Sequence, residues 1–148
     1  MAYCPSCQVP LWDLFPTAII CAVVNEQREV ALLRQDYVST TSHVCVAGMM
    51  KLGESAEDAA AREVEEELGL PVEELHYVRS YPYPQKEMLM LGFWAKVTKA
   101  DFHTSQEVDD VEWVPFSQAL DKLRGGSVAW RLVKETIEFL SREKSPTL

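Results

Sequence analysis

Two runs of β-branched and aliphatic residues, Thr17 to Asn25 (TAIICAVVN) and Val30 to Arg34 (VALLR), flank a short polar stretch. This is the pattern of a β-hairpin. Val44 to Val46 predicts a short strand that runs into Gly48. The period then changes: Ala56 to Leu68 reads as a helix, with Ser55 in the N-cap position, Asp58 three residues on, and Gly69 placed to close it. Leu75 to Tyr81 and Met88 to Thr98 predict two further strands, joined by the segment Pro82-Tyr83-Pro84, and Val111 to Val114 predicts another. Pro115 opens a short helix that reaches Leu123. After Gly125-Gly126, a last helix from Val128 to Arg142 carries Ala129, Val133, Ile137 and Leu140 on one face. Strands outnumber helices and alternate irregularly with them, so the helices must cover a sheet. The fold class is α/β, a sandwich.

The helix from Ala56 to Leu68 has an unusual polar side. At 100° per residue from Glu63, Glu66 falls at about −60° and Glu67 at about +40°, so three carboxylates share one arc. Ala60, Val64, Ala61 and Leu68 form the adjoining apolar stripe that packs on the sheet, and Glu65 points to solvent. Like charges at these spacings cost a helix roughly 0.2–0.5 kcal/mol per pair. Hard oxygens converging on one face suit magnesium or manganese. From the glutamates alone, a solvated acidic face remains the alternative.

Composition sharpens that choice. The 148 residues suit one domain, and 47% hydrophobic with 25% charged residues excludes a disordered chain. The net charge is −9, and residues 51–74 hold nine acids against two bases, a local −7. Such a balance argues against non-specific binding to DNA or anionic membranes. It draws in phosphates only where the carboxylates hold a cation. No run approaches the roughly 18 apolar residues of a membrane span. The first residues lack the basic and apolar stretches of a signal peptide, so a cytoplasmic protein is expected, with no membrane or DNA partner.

Cys21 and Cys45 lie in apolar runs and read as small core residues. Cys4-Pro5-Ser6-Cys7 is different, because two thiolates at this spacing can share one zinc. A structural zinc takes four ligands, and no second pair accompanies them, so Cys4 and Cys7 are half a zinc site unless two chains pool their halves. His43, His76 and His103 are isolated, and no serine or cysteine nucleophile motif accompanies them.

Gly48, five residues, Glu54, seven residues, and then Arg62-Glu63-Val64-Glu65-Glu66-Glu67-Leu68-Gly69-Leu70 fill every fixed position of the Nudix box, G-x5-E-x7-R-E-U-x-E-E-x-G-U, where U is a bulky apolar residue. The chain therefore resembles the Nudix hydrolases. The resemblance implies the Nudix fold, an α/β/α sandwich with a mixed β-sheet. It also implies that Gly48, Glu54, Arg62 and Gly69 are structural, with Glu54 and Arg62 bracing loop against helix.

Beyond the box the chain is similar to the NADH pyrophosphatase branch of that family. Cys4-Pro5-Ser6-Cys7 followed by Phe15-Pro16-Thr17 resembles the last half of that branch's zinc ribbon, which divides the chain into a ribbon remnant or N-terminal arm (1–15) and a hydrolase domain (16–148). Ser80-Tyr81-Pro82-Tyr83-Pro84 and Leu89-Met90 follow the branch's S-Q-P-W-P-F-P-x-S-L-M segment, while Tyr81, Gln85, Lys86 and Met88 depart from it. Gln106-Glu107 stands where the branch places a further metal-binding glutamate, and Gly126-Ser127-Val128-Ala129-Trp130-Arg131-Leu132 resembles its G-S/T-x-A-R-R-L stretch. The implied metal ligands are the Ala47 carbonyl, Glu63, Glu66, Glu67 and Glu107, with Glu63, Glu66 and Glu67 catalytic. Phe15, Tyr81, Pro82, Tyr83, Pro84 and Ala129 are implied substrate contacts, and Trp130 is a further aromatic candidate. Lys51 occupies a box-loop position that is often glutamate, either solvated or touching a phosphate.

The implied reaction is hydrolysis, with Mg2+ or Mn2+, of the diphosphate bond in a nucleoside diphosphate linked to another moiety. NAD(H)-like dinucleotides, giving AMP and nicotinamide mononucleotide, stand first. ADP-ribose, dinucleoside polyphosphates or nucleoside triphosphates are the alternative, and a non-catalytic nucleotide-sensing module is the second. The partner expected is a small-molecule nucleotide, and the assembly suggested is a homodimer.

Overall fold

Thr17–Val24 (β3) is the strand around which the chain is organised, apolar on both faces because helices cover both faces of the sheet. Ile19, Cys21 and Val23 face one layer, and Ile20, Ala22 and Val24 face the other. A computed structural model describes residues 2–11, 14–34, 42–104 and 110–143. Besides β3 it contains Ala2–Cys4 (β1), Val9–Leu11 (β2), Glu29–Arg34 (β4), Val46–Met49 (β5), Glu74–Tyr83 (β6), Met88–Lys96 (β7) and Asp110–Pro115 (β8). Its helices are Ala56–Leu68 (α1), Phe116–Lys122 (α2) and Val128–Glu143 (α3), with a single 3-10 turn at Pro84–Lys86.

The main sheet is mixed, in the order β6-β7-β3-β4-β8. β3 and β7 are parallel along their whole length, from Thr17↔Leu89 to Val24↔Lys96, and the other neighbours are antiparallel. The second edge of β3 is divided. Its end, at Val24↔Val30, pairs with β4, while Ala18 to Cys21 pair with Met49 to Val46 of β5. α1 packs on one face through Ala59, Ala60, Val64 and Leu68, whereas α2 and α3 cover the other through Ala119, Val128, Ala129, Leu132 and Val133. Burying Val64 and Leu68 contributes roughly 1.5–3 kcal/mol each. The α/β/α sandwich with a mixed sheet is therefore the observed architecture.

Three local expectations change. The segment around Cys4 and Cys7 forms an antiparallel hairpin, β1 with β2, which among the described residues is a two-stranded sheet of its own. Gln8 sits there with a φ of 58° and donates its N–H to the Cys4 carbonyl. Second, Pro82 and Tyr83 belong to β6 and not to a connection: Pro82 pairs with Leu89 and Tyr83 with Met88. β6 is an edge strand, where a residue lacking an N–H is tolerated. The chain turns instead at Pro84–Lys86, with Glu87 in the left-handed region. Third, β7 ends at Lys96, two residues short of the predicted Thr98. Among the described residues no helix is long and apolar enough to cross a membrane.

Candidate active site

The local sequence sets α1 in place at both ends. Ser55 Oγ accepts the Asp58 N–H at 3.0 Å, capping the first turn, and Gly69 closes the helix with a φ of 70° while donating to the Glu65 carbonyl. A side chain on Gly69 would meet His103, whose N–H is bonded to the Leu68 carbonyl at 2.8 Å. This contact ties the end of α1 to the segment that follows β7.

Between those ends, one arginine organises the carboxylates. Arg62 donates from Nε and Nη2 to Glu54 (2.6 and 2.9 Å), from Nη1 to Glu63 (2.7 Å) and Glu66 (3.2 Å), and from Nη2 to the Met49 carbonyl (3.1 Å). All five guanidinium protons are engaged, which a planar fork allows and an ammonium does not. The Glu54 carboxyl is held down at about 2, chiefly by Arg62 and then by the Lys51 N–H, while its carboxylate in turn pushes the Arg62 pKa up. Glu54 and Arg62, expected to brace loop against helix, are bonded to each other, and Glu54 also accepts the Lys51 N–H.

Glu63 and Glu67, one turn apart, are buried; Glu66 is half-exposed and Glu65 lies in solvent. A carboxylate is seldom buried at 9% or 5% exposure without a specific task. Glu63 lies directly on Gly48: a methyl group there would occupy the space of its carboxylate. Gly48 and Ala47 are neighbours on β5, one turned to α1 and the other to the α3 layer, so this strand carries the site from one face of the sheet to the other. Hard oxygen donors with a backbone carbonyl beside them are a set that magnesium or manganese accepts. Among the described residues no three His, Cys, Asp or Glu side chains stand together as a finished metal site, and Glu54, Glu63 and Glu66 are all paired with Arg62. Gln106 and Glu107 lie outside the described residues.

On the α3 side, Ala47 and Gly48 form part of a cavity of about 480 Å³. Ile20, Met88 and Met90 give it an apolar wall, and Tyr83 and Ala129 stand at its sides. Ser127 caps α3 beside it, its Oγ accepting the Trp130 N–H at 3.1 Å. The implied substrate contacts are therefore divided. Tyr83 and Ala129 line this cavity. Phe15, Pro82 and Pro84 line a neighbouring depression that also includes Tyr83. Tyr81 lines neither. It is fully buried in the α3-side core, its hydroxyl donating to Glu135 and its ring beneath Arg131, and both burial and Glu135 push its pKa up. Trp130 lies under Lys134, outside the cavity.

Lys86 and Arg124 also line the cavity, and neither was singled out as a site residue. The signals available were the departure of Lys86 from the branch pattern and an arginine immediately before Gly125-Gly126. Cys21 and Cys45 are buried core residues, and burial pushes the Cys45 thiol up to about 12. Cys4 is different: the Cys7 N–H donates to its Sγ at 3.4 Å and lowers its pKa, an arrangement that favours a thiolate.

The NUDIX domain family matches residues 14–135. Among curated proteins, the chain is 31% identical over 135 residues to an "NAD-capped RNA hydrolase NudC" of Edwardsiella ictaluri, and 32% identical over 132 residues to the protein of that name from Salmonella schwarzengrund. These alignments cover 90% and 87% of this chain but 52% and 51% of the relatives, so the chain spans about half their length. Among solved structures, a NUDIX hydrolase from Nitrosomonas europaea superposes with a TM-score of 0.73 at 20% identity, covering 99% of this chain and 82% of that one. The NUDIX domain of Shewanella oneidensis NrtR, crystallised with ADP ribose, gives 0.74 at 14% identity, covering 93% and 94%. With the sandwich, the filled positions from Gly48 to Leu70 and a family match over most of its length in agreement, the chain belongs to the Nudix family.

Proposed function

We propose that the chain hydrolyses the diphosphate bond of a nucleoside diphosphate linked to a second moiety. The observation that carries this reading is the burial of Glu63 and Glu67 one turn apart on α1, with Glu63 seated on Gly48 beside the cavity wall at Ala47. Nudix enzymes generally use divalent cations. Here Glu63, Glu67 and the Ala47 carbonyl would hold Mg2+ or Mn2+, with Glu66 and Glu107 as further ligands. A cation held there would supply charge neutralisation on the diphosphate oxygens and lower the pKa of water. Glu66 is the candidate general base: it is half-exposed, and its bond from Arg62 is the longest of the five that the guanidinium makes.

NAD(H)-like dinucleotides, cleaved to AMP and nicotinamide mononucleotide, are the first substrate to test, supported by the name carried by the curated relatives. ADP-ribose is the second, supported by the ligand crystallised in the NrtR domain. The deciding experiment is a turnover screen of NADH, NAD, ADP-ribose, dinucleoside polyphosphates and nucleoside triphosphates, with magnesium and with manganese. Cation-dependent cleavage that chelation abolishes and Glu67→Gln lowers at least about 100-fold supports the reading. Intact activity in Glu67→Gln at saturating magnesium overturns the assignment. Binding without turnover across the panel favours the nucleotide-sensing module.

A further inference from the structure

The cavity beside β5 has a charge pattern opposite to that of the whole protein. The chain carries 23 acids against 14 bases, yet among the described residues no aspartate or glutamate lines this cavity, and Lys86 and Arg124 do. Its one histidine, His43, already faces Glu112 at 3.5 Å. Neither Lys86 nor Arg124 has a carboxylate within ion-pair distance among the described residues. Backbone structure sets the position of each. Lys86 ends the 3-10 turn that Glu87 closes by donating to the Pro84 carbonyl at 3.1 Å. Arg124 begins the turn in which Ser127 donates to its carbonyl at 3.1 Å, just ahead of α3.

The carboxylates of α1 and their cation would serve the diphosphate that is cleaved, on the Gly48 side. Lys86 and Arg124 are two further cationic groups in the same chamber, whose wall is largely apolar. A base stacked among Tyr83, Met88 and Met90 requires no positive charge, but a phosphate on its ribose does, and arginine and lysine together supply a forked and a point-like donor for one. We propose that Lys86 and Arg124 form a second anion subsite that reads a phosphate on the ribose of the nucleoside seated in this cavity. The preferred substrate is then a ribose-phosphorylated nucleoside diphosphate derivative. This extends the hydrolase reading above and rests on it, adding that the nucleoside occupies this cavity.

The test uses ligands that cannot be turned over. Calorimetric titration of the whole chain with AMP, adenosine 2′,5′-bisphosphate and adenosine 3′,5′-bisphosphate reads the subsite and its regiochemistry. At least one bisphosphate should bind about tenfold more tightly than AMP, equivalent to one good charge-assisted contact. That ratio should fall to about one in a Lys86→Gln/Arg124→Gln variant whose thermal melt matches the parent. A choice between the two bisphosphates identifies a 2′- or a 3′-phosphate. Equal affinity for all three ligands, or a preference that survives the double variant, overturns the proposal. If the preference is present but nothing is cleaved in the turnover screen, extended to NADPH as a dinucleotide with a ribose phosphate, the subsite stands and the hydrolase reading fails.

Discussion

Arg62 grips Glu54 through two parallel bonds, Nε to Oε2 at 2.6 Å and Nη2 to Oε1 at 2.9 Å, eight residues apart in sequence. The same carboxylate accepts the Lys51 N–H at 3.0 Å, so one ion pair fastens the loop before α1 to the helix itself. Replacing Arg62 by lysine keeps the charge and loses the fork. Arg62→Lys is expected to leave the fold intact and lower turnover about 100-fold through misplacement of the loop and of Glu63. Steady-state kinetics beside a thermal melt check this.

The pair also has a signature in acid. Glu54 is pulled down from 4.5 to about 2 by Arg62 first and the Lys51 N–H second. Its folded pKa is depressed, so its contribution to stability is fully present above pH 4.5 and is lost as the pH falls through that interval toward 2. Urea midpoints followed from neutral pH into this range should decline less steeply in Glu54→Gln than in the parent. Parallel curves would show that the pair contributes nothing to folding.

At Gly48 the constraint is space. An alanine methyl would fall where the Glu63 carboxylate sits. Gly48→Ala should therefore displace that carboxylate, with a loss of cation-dependent turnover of about 100-fold. Manganese binding followed by electron paramagnetic resonance should weaken in parallel. Unchanged manganese affinity would remove Glu63 from the ligand set.

Tyr81 and Tyr83, two residues apart on one strand, should behave differently. Tyr81 is buried with its hydroxyl on Glu135, so Tyr81→Phe should cost about 1–2 kcal/mol of stability and leave KM unaltered. Tyr83 lines the cavity, and Tyr83→Ala should raise KM about threefold to tenfold. Denaturant unfolding and kinetics on the same two variants separate these effects.

The periodic elements were readable because their signals are local. Ser55 and Gly69 marked the ends of α1, and the runs at Thr17 and Val30 gave strands whose ends fell within a residue or two. The Nudix box fixed the pairing of Glu54 with Arg62 and the carboxylates of one helix face, because its spacing reports a geometry. Tyr81 shows where such reading stops. Residues 81 and 83 both point to the α3 layer, and nothing in the sequence says that Glu135 and Arg131, some fifty residues later, will close over one and leave the other open. Lys86 and Arg124 were hidden for the same reason: their significance lies in sharing a cavity in which the described residues include no acid, a property of packing and not of either residue's neighbours in sequence. The hairpin at Cys4 was missed because three-residue strands are too short to show a period.

β3 gives Val24 to one neighbour and Ala18 to Cys21 to another, so the hydrogen-bond ladder forks at the centre of the sheet. Beside that fork Val46 to Met49 pairs with β3, while Ser42 to Cys45 leads in past the bridge Leu33↔Val44 to β4, and the two stretches wall the cavity. The width of the chamber is therefore governed by where the ladder divides. Moving that branch point by one pair of residues would reshape what the site admits and would also shift Gly48, on which Glu63 rests. Selectivity and chemistry are therefore tied together in this scaffold, because one short strand of backbone serves both.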